Sequence, residues 1–248
     1  MIVIKRPDEI RRMRAAGQIV GQLLLEIERR VRPGVTTRDL DRFAEEFIRA
    51  RGGVPSFKGY RGYPASICTS VNEQVVHGIP AERRLREGDV LSVDVGVFLD
   101  GYHGDGARTF AVGEVDPEAR RLLEVTERAL LAGIEAARPG RRVSDIGHAV
   151  QQVVEAAGFS VVREFVGHGI GQQMHEDPQV PNFGPPGRGA RLQPGMTLAI
   201  EPMVNEGVSD VTILEDNWTA VTVDGRRSAH FEHTVAITED GPMVLTLP

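Results

Sequence analysis

Four acidic residues lie in or beside stretches that are typical of β-strands, where carboxylates are unusual. Asp94 interrupts an apolar alternation over residues 91–97, and Asp105 follows on a returning strand after an Asp-Gly turn. Glu201 and Glu232 stand beside two further apolar runs. A buried carboxylate is costly unless a cation lies against it. A half-exposed sheet would explain any one of these acids, so only a convergence of several would indicate a cation site.

An internal repeat relates the four acids in pairs. Arg32-Pro33-Gly34 recurs 106 residues later as Arg138-Pro139-Gly140, each time after a predicted helix. Leu91-Ser92-Val93-Asp94 aligns with Leu198-Ala199-Ile200-Glu201 at an offset of 107 residues. Chance or shared capping chemistry could produce the first match but hardly both. The chain therefore reads as two copies of a helix–helix–sheet unit, with Asp94 equivalent to Glu201 and Asp105 to Glu232.

The helices and one long loop are also visible in the sequence. The first helix begins at Pro7 and carries apolar residues in steps of three and four as far as Val31. Thr37 is predicted to cap the second helix and Asp116 the third. Residues 177–195 hold five prolines and four glycines and are predicted to contain no helix or strand. This loop is either part of a site rim or a surface connection only.

Two sheets related by a pseudo-twofold axis would bring the four carboxylates together. Like charges a few ångströms apart cannot all stay ionised unless cations lie between them. Two divalent ions would balance the four charges, and an imidazole would complete the site. The candidates are His168, whose flanking glycines permit close backbone approach, and His175. A single histidine taken alone is more often part of the core or surface.

The composition indicates a soluble globular enzyme. The 248 residues are 41% hydrophobic and 26% charged, and the net charge of −6 argues against nucleic acid, so DNA is not expected as a partner. The lone Cys68 fits a reducing compartment, and no apolar run approaches the roughly 20 residues of a membrane span. Because Lys5 comes too early for a signal peptide, we expect a cytoplasmic protein. Clusters such as Arg83-Arg84-Arg86 fit solvated faces, or a transient contact with an anionic partner such as the ribosome.

Taken together, these residues resemble the type I methionine aminopeptidases of peptidase family M24. The matching motifs span nearly the whole chain and include Gly59-Tyr60-Arg61-Gly62-Tyr63-Pro64, Asn72-Glu73, His77-Gly78-Ile79-Pro80, Val93-Asp94-Val95, Gly101-Tyr102-His103-Gly104-Asp105, Gly167-His168-Gly169-Ile170-Gly171, His175-Glu176-Asp177-Pro178, Ile200-Glu201-Pro202, Trp218 and Phe231-Glu232-His233-Thr234. The resemblance implies an α+β pita-bread (creatinase/aminopeptidase) fold, in which two pseudo-twofold-related helix–helix–antiparallel-sheet halves, about 1–115 and 116–248, form a single catalytic domain over 1–248.

The same resemblance implies an activity. The enzyme would remove the N-terminal methionine from nascent proteins and peptides, preferring a small second residue, by means of a hydroxide that bridges two divalent ions. Its metal ligands would be Asp94, Asp105, His168, Glu201 and Glu232. This donor set suits Co, Mn, Fe, Zn or Ni and leaves the choice open. Glu201 would also act as general base, while His77 and His175 would bind the substrate and assist catalysis.

The resemblance further implies a pocket for the methionine side chain. An aromatic-walled slot suits a thioether, and its lining would be Phe57, Tyr60, Tyr63, Cys68, His77, Met174 and Trp218. Relatives often carry Phe at the position of Met174 and Cys at that of Phe57, which leaves the shape of the pocket open. Each aromatic residue taken singly is more often core than pocket. A monovalent-cation site near Asn72 and Ser228 is also implied.

Three alternatives are weighed against this interpretation. Proline-specific peptidases share the metal set but normally carry an extra N-terminal domain, whereas this chain begins at the catalytic unit. Type II methionine aminopeptidases have a helical insertion between the last two acids, but only 31 positions separate Glu201 from Glu232. Relatives that have lost their ligands act as binding or ribosome-associated proteins, and the intact ligand set here favours an enzyme.

Overall fold

The computed structural model describes residues 1–248. It contains four α-helices, namely α1 (Pro7–Glu28), α2 (Thr37–Ala50), α3 (Pro117–Ala136) and α4 (Val143–Ala156), and a 3₁₀ turn over Tyr60–Gly62. The fifteen strands are β1 (Val54–Pro55), β2 (Cys68–Val71), β3 (Gln74–Val76), β4 (Val90–Leu99), β5 (Tyr102–Ala111), β6 (Ser160–Val161), β7 (Gly167–Gly169), β8 (Glu176–Val180), β9 (Thr197–Ile200), β10 (Met203–Asn205), β11 (Val211–Ile213), β12 (Ala220–Thr222), β13 (Ser228–His230), β14 (His233–Thr238) and β15 (Gly241–Val244).

Two antiparallel sheets dominate the architecture. The first has β4 at its centre, in the order β1-β4-β2 with β5 also paired to β4. The second has the order β15-β14-β9-β7-β8, so that β9 pairs with β14 as β4 pairs with β5. Two three-stranded sheets, β13-β10-β6 and β11-β12-β3, complete the fold. In each half of the chain, a pair of helices precedes the strands of one large sheet, which agrees with the predicted α+β repeat.

The second helix of each half begins with the same capping arrangement, and one predicted cap is wrong by one residue. Thr36, not Thr37, is the N-cap of α2: its Oγ1 accepts from the Asp39 amide at 3.0 Å. Thr37 is instead the first helical residue. The bond that the two helices share joins the N-cap amide to an aspartate three residues later: the Thr36 amide donates to the Asp39 carboxylate at 3.3 Å, and the Arg142 amide to the Asp145 carboxylate at 2.8 Å. These bonds satisfy N–H groups that the first turn of a helix leaves free.

Apolar side chains from helices and sheets form the core of each half. Val20 and Leu23 of α1 pack with Val93 and Val95 of β4 in the first half. Gly17 allows α1 to meet the C-terminal segment, because a Cβ at this position would lie 2.4 Å from the Leu245 carbonyl oxygen. The close contact joins the first helix to the end of the second half.

Other predicted boundaries also shift. Helix α1 ends at Glu28, and Val31, which was expected to extend its apolar face, packs against the core from the following turn. The Pro- and Gly-rich segment is not entirely loop, because β8 includes residues 177–180 and pairs with β7. Asp116 caps α3 as predicted, accepting from the Ala119 amide at 2.9 Å. None of the helices combines the length and apolar character needed to cross a membrane.

Candidate functional site

The register of the first sheet places two of the acids on one face. Asp105 lies opposite Gly96, two residues along β4 from Asp94, and Cys68 of β2 lies opposite Asp94. Residues two apart on a strand point to the same side. Gly96 leaves room between the acids and the next layer, because a Cβ there would lie 2.6 Å from the Phe57 ring. The first sheet therefore presents Asp94 and Asp105 together.

The second sheet presents its acids by the same logic. His168 lies opposite Ala199, and His233 lies opposite Ile200. Continuing this antiparallel register by one residue sets Glu201 across from Glu232, on the face that His168 shares. His168, Glu201 and Glu232 therefore point toward one another.

Backbone hydrogen bonds join the two sheets at this point. The Glu232 amide donates to the Ala107 carbonyl at 2.9 Å, and the Ala107 amide donates back to the Glu232 carbonyl at 3.3 Å. Glu232 is thereby fixed two residues from Asp105 on the neighbouring strand. The pairing brings the acids of both halves into one cluster, as the internal repeat predicts.

The side-chain distances within the cluster are short. His168 Nε2 lies 3.5 Å from Glu201 Oε1 and 3.8 Å from Asp105 Oδ2. Ligand atoms of Asp105, His168 and Glu232 all lie within 4.8 Å of one another, as do those of Glu201, His230 and Glu232. Such spacing is close enough for a metal ion to be shared among the side chains.

Burial raises the proton affinity of every acid in this cluster. Desolvation raises the pKa of Asp94 to about 7 and that of Glu201 to about 8. It also raises the pKa values of Asp105 and Glu232 well above their usual range, and the neighbouring carboxylates add to both shifts. Burial lowers the pKa of His168 to about 3, which keeps its imidazole neutral. A neutral imidazole beside carboxylates is the form that binds a metal.

The donor atoms fit divalent metal ions. Asp94 Oδ1, Asp105 Oδ1, Glu232 Oε1 and His230 Nε2 are buried and have no hydrogen-bond partner within the protein. Buried polar atoms are otherwise nearly always paired. Carboxylate oxygens with one or two imidazole nitrogens, and no thiolate, suit first-row divalent metals. The cluster therefore meets the requirements of a metal centre.

A cavity of about 150 Å³ opens directly onto the acids. Every residue predicted for the metal cluster and the methionine pocket lines it, together with Arg61. The lining consists of Phe57, Tyr60, Arg61, Tyr63, Cys68, His77, Asp94, Asp105, His168, Met174, His175, Glu201, Trp218 and Glu232. The structure thus brings residues from both halves of the sequence to one slot.

Two histidines face the slot from opposite walls. His77 packs edge-on against Phe165 and Trp218, with ring centroids at 5.4 and 6.3 Å, and burial lowers its pKa to about 4. His175 stacks on Tyr60, whose hydroxyl lies 2.9 Å from His175 Nδ1. Its ring centroid is also 4.1 Å from that of His168. Each of the two histidines is held by aromatic contacts that leave polar ring atoms for another partner.

The other walls are apolar and well fixed. Tyr63 and Trp218 meet edge to face at 5.1 Å, and the Tyr63 hydroxyl donates to the Gly78 carbonyl at 2.9 Å. Met174 and Cys68 are buried beside them. Burial raises the pKa of the Cys68 thiol well above its usual range, so Cys68 acts as an apolar wall.

Sequence reasoning missed two residues of the site. His230 Nε2 lies 3.5 Å from Glu201 Oε2, although neither glycines nor a motif marks it. Its position two residues before Glu232 is the one available signal. Arg61 reaches the mouth of the slot from a left-handed backbone position with φ of 49°. At the predicted monovalent-cation site, the Ser228 amide donates to the Asn72 carbonyl at 2.9 Å, so the two residues are neighbours.

Comparison with known proteins agrees with these features. The sequence profile of metallopeptidase family M24 matches residues 11–239. The chain is 56% identical over 246 residues to methionine aminopeptidase 1 of Bacillus subtilis (strain 168), covering 99% of each chain. The crystal structure of methionine aminopeptidase from Thermotoga maritima superimposes with a TM-score of 0.99 at 49% identity and covers 100% of both chains.

A more distant likeness defines the fold. Prolidase from Pyrococcus furiosus superimposes with a TM-score of 0.80 at 22% identity, covering 99% of this chain and 66% of that one. Such a likeness confirms the predicted pita-bread fold. The similarity to methionine aminopeptidases is much higher and extends over the full length. The chain therefore belongs to metallopeptidase family M24 and, within it, to the type I methionine aminopeptidases.

Proposed function

We propose that this metallopeptidase removes the N-terminal methionine from peptides and nascent proteins and prefers substrates whose second residue is small. The supporting observation is the position of the acid cluster, which lies at the wall of an aromatic slot of about 150 Å³. A single catalytic domain over 1–248 would carry this activity, with the halves 1–115 and 116–248 each supplying two of the acids.

Five side chains would hold two divalent ions, drawn from Co, Mn, Fe, Zn and Ni. They are Asp94, Asp105, His168, Glu201 and Glu232. The buried unpaired oxygens of Asp94, Asp105 and Glu232, and the close spacing of the ligand atoms, support this assignment. When bound, such ions supply Lewis acidity and make water acidic enough to attack a peptide carbonyl near neutral pH. His230, 3.5 Å from Glu201, would fix the orientation of that carboxylate.

Glu201 would also accept a proton during the reaction. Its carboxylate borders the cavity beside the other acids, where it would take the proton that the attacking water loses and later release it to the leaving amine. Its Oε1 lies 3.5 Å from His168 Nε2 and its Oε2 lies 3.5 Å from His230 Nε2, so both carboxylate oxygens are close to imidazole nitrogens.

His175 would donate to the oxygen of the scissile carbonyl as negative charge develops there. Because Tyr60 O–H can donate to Nδ1 at 2.9 Å, the neutral ring would carry its proton on Nε2. Burial lowers the pKa of His175, which keeps the ring neutral near pH 7. His77, on the opposite wall, would contact the scissile amide.

The slot would bind the methionine side chain. Tyr63 and Trp218 provide aromatic edges, while Cys68 and Met174 close the space with polarizable sulfur. A flexible thioether gains from sulfur–aromatic contact and adapts to an irregular cavity. Relatives often carry Phe at the position of Met174 and Cys at that of Phe57. The smaller side chain at the first position and the larger one at the second would together keep the slot narrow.

Two further expectations concern the cellular setting. We propose a cytoplasmic location, consistent with the single, buried Cys68. A transient ribosome contact stays a prediction based on exposed arginines such as Arg83 and Arg86.

Release of methionine from a short peptide tests the proposal. Protein loaded separately with each of the five metals should liberate methionine from Met-Ala-Ser-Lys and should not act on the N-acetylated peptide. Glu201→Gln should abolish release, whereas Glu239→Gln, at an exposed acid, should leave it unchanged. No release with any metal, or cleavage restricted to Xaa-Pro peptides, would contradict the assignment.

A further inference from the structure

A buried ion pair lies next to the site without being part of it. The chain has two lysines, and one of them, Lys5, is only 3% exposed in its side chain. Its Nζ lies 2.5 Å from Oε2 of Glu176, which is 9% exposed, and 3.2 Å from the Val3 carbonyl oxygen. A buried lysine is rare and is normally paired. The two side chains are therefore held in one geometry, unlike those of an exposed ion pair.

Gly171 provides the space for this pair. A Cβ at Gly171 would lie 2.5 Å from Lys5 Cε and 2.6 Å from Glu176 Oε1. The other oxygen of the Glu176 carboxylate, Oε1, accepts from the Gln173 amide at 3.2 Å. The backbone of Lys5 is fixed as well, because its amide donates to the Gly195 carbonyl at 2.7 Å. Lys5 thus joins the segment before α1 to the connection between β7 and β8.

The hairpin formed by β7, β8 and this connection carries two histidines that line the site. His168 lies in β7, Gly169 pairs with Glu176 across the hairpin, and His175 immediately precedes Glu176. Tyr60 holds the His175 ring from the slot side. On the backbone side, His175 is bonded directly to Glu176, whose carboxylate is paired with the Lys5 ammonium.

We propose that Lys5 and Glu176 are positioning residues that set the location of His175. The inference rests on the proposed function, since it assigns to this pair the geometry of a group that would touch the substrate. Loss of the ammonium would leave a buried carboxylate unpaired, and such a carboxylate moves toward water. Because Glu176 and His175 are adjacent, His175 would move with it, and displacements near 1 Å are enough to slow catalysis greatly.

Lys5→Met tests the proposal, with Lys58→Met as its matched control. Lys58 also pairs with a glutamate, Glu45, at 2.6 Å, but its side chain is 45% exposed. In Lys5→Met we expect kcat for Met-Ala-Ser-Lys to fall by about 10- to 100-fold. KM should change by less than about threefold and bound metal should stay at the wild-type level, because the slot and the acids are untouched. Lys58→Met should match the wild type in all three.

A double-variant cycle separates positioning from general damage. In a His175→Ala background, Lys5→Met should lower kcat by less than about twofold, because its effect acts through the missing imidazole. An equal loss in both backgrounds, or wild-type kcat in Lys5→Met, would overturn the proposal. If Lys5→Met does not fold, Glu176→Gln retains the side-chain volume and the acceptor for Gln173, and the same outcomes apply. A wild-type protein that releases no methionine would instead disprove the proposed function.

Discussion

Thr234 is hydrogen-bonded to Asp105 in both directions across the two halves of the molecule. The Thr234 hydroxyl donates to the Asp105 carbonyl oxygen at 2.8 Å and accepts from the Asp105 amide at 3.0 Å. Thr234 is fully buried in β14, whereas Asp105 belongs to β5 of the first sheet. One hydroxyl therefore satisfies both backbone groups of a proposed metal ligand, two residues from Glu232.

Replacing Thr234 by valine tests this connection. Valine keeps the shape but leaves the Asp105 amide and carbonyl buried without partners, which should lower the free energy of unfolding by about 1–3 kcal/mol. Metal affinity should fall as well, because Asp105 would lose its fixed position. Denaturant unfolding and metal titration measure the two effects. Thr238→Val is the control, since the Thr238 hydroxyl, at the end of β14, donates to the Gly241 carbonyl of β15 and not to an acid of the cluster. Equal behaviour of the two variants would contradict the prediction.

The sequence repeat predicted the acid cluster because strand register follows from it. Asp94 and Glu201 hold equivalent positions in the two halves, each across from a returning strand of its own sheet. The alternation of side chains along a strand then sets which residues share a face. The cap of α2 is Thr36 and not the predicted Thr37, because either of two adjacent threonines can cap a helix and only the path of the backbone decides which hydroxyl reaches Asp39.

The contacts that His230 and Lys5 make could not be predicted from a sequence pattern. His230 reaches Glu201 because β10 pairs with β13 and sets their residues side by side, a long-range contact without local signature. Lys5 and Glu176 are 171 residues apart, and the space that they share depends on Gly171. Each of these contacts depends on tertiary packing, which local propensity and periodicity do not specify.

Chelation should remove activity and stability together. Asp94, Asp105, Glu201 and Glu232 repel one another in a desolvated cluster, so cations bind the folded state and favour it over the unfolded chain. We expect a lower Tm after treatment with a chelator and dialysis, and recovery of both Tm and methionine release after a divalent metal is restored. Full turnover in chelated protein, verified by elemental analysis, would contradict a metal-dependent mechanism.

Substitutions should separate metal ligands from the residues that act on substrate. His77→Ala and His175→Ala should keep bound metal while kcat falls by about 10²- to 10⁴-fold, since the two side chains contact the slot rather than the ions. Asp105→Asn should lose bound metal. Elemental analysis and steady-state kinetics on the three variants make the comparison. Loss of metal in His175→Ala would move that residue into the ligand set.

The buried His77 should make the stability of the protein depend on pH. Its pKa is about 4 when folded, against an ordinary value of 6.5. Below pH 6.5 the unfolded chain takes up the proton first, so the stability present above 6.5 is lost as pH falls toward 4. Asparagine does not titrate. As the pH falls from 7.5 to 5, the free energy of unfolding of His77→Asn should therefore rise by about 1–2 kcal/mol relative to that of the wild type. Denaturant unfolding of both proteins at pH 7.5 and pH 5 measures their free energies of unfolding. A difference between the two proteins that does not change with pH would disprove the effect.

Under the proposed function, the size of the slot should make the enzyme selective for the first two residues of a peptide. The first side chain would occupy the cavity of about 150 Å³, between Tyr63, Trp218 and Met174. The scissile carbonyl would then reach His175, which would bring the second residue against the rim near Arg61 and His77. A large second side chain would push the carbonyl away from its reactive position.

Tetrapeptides varied at the first two positions measure this selectivity. Met-Ala, Met-Gly and Met-Ser peptides should be cleaved with a kcat/KM about 10²- to 10⁴-fold above that of Met-Leu or Met-Arg peptides. Leucine in place of the first methionine should also lower kcat/KM strongly, because its γ-branch does not fit a slot that accepts a straight thioether. Methionine release is followed by amino-acid analysis for each peptide. Indifference to both positions, or a preference for Xaa-Pro, would instead favour a proline-specific peptidase.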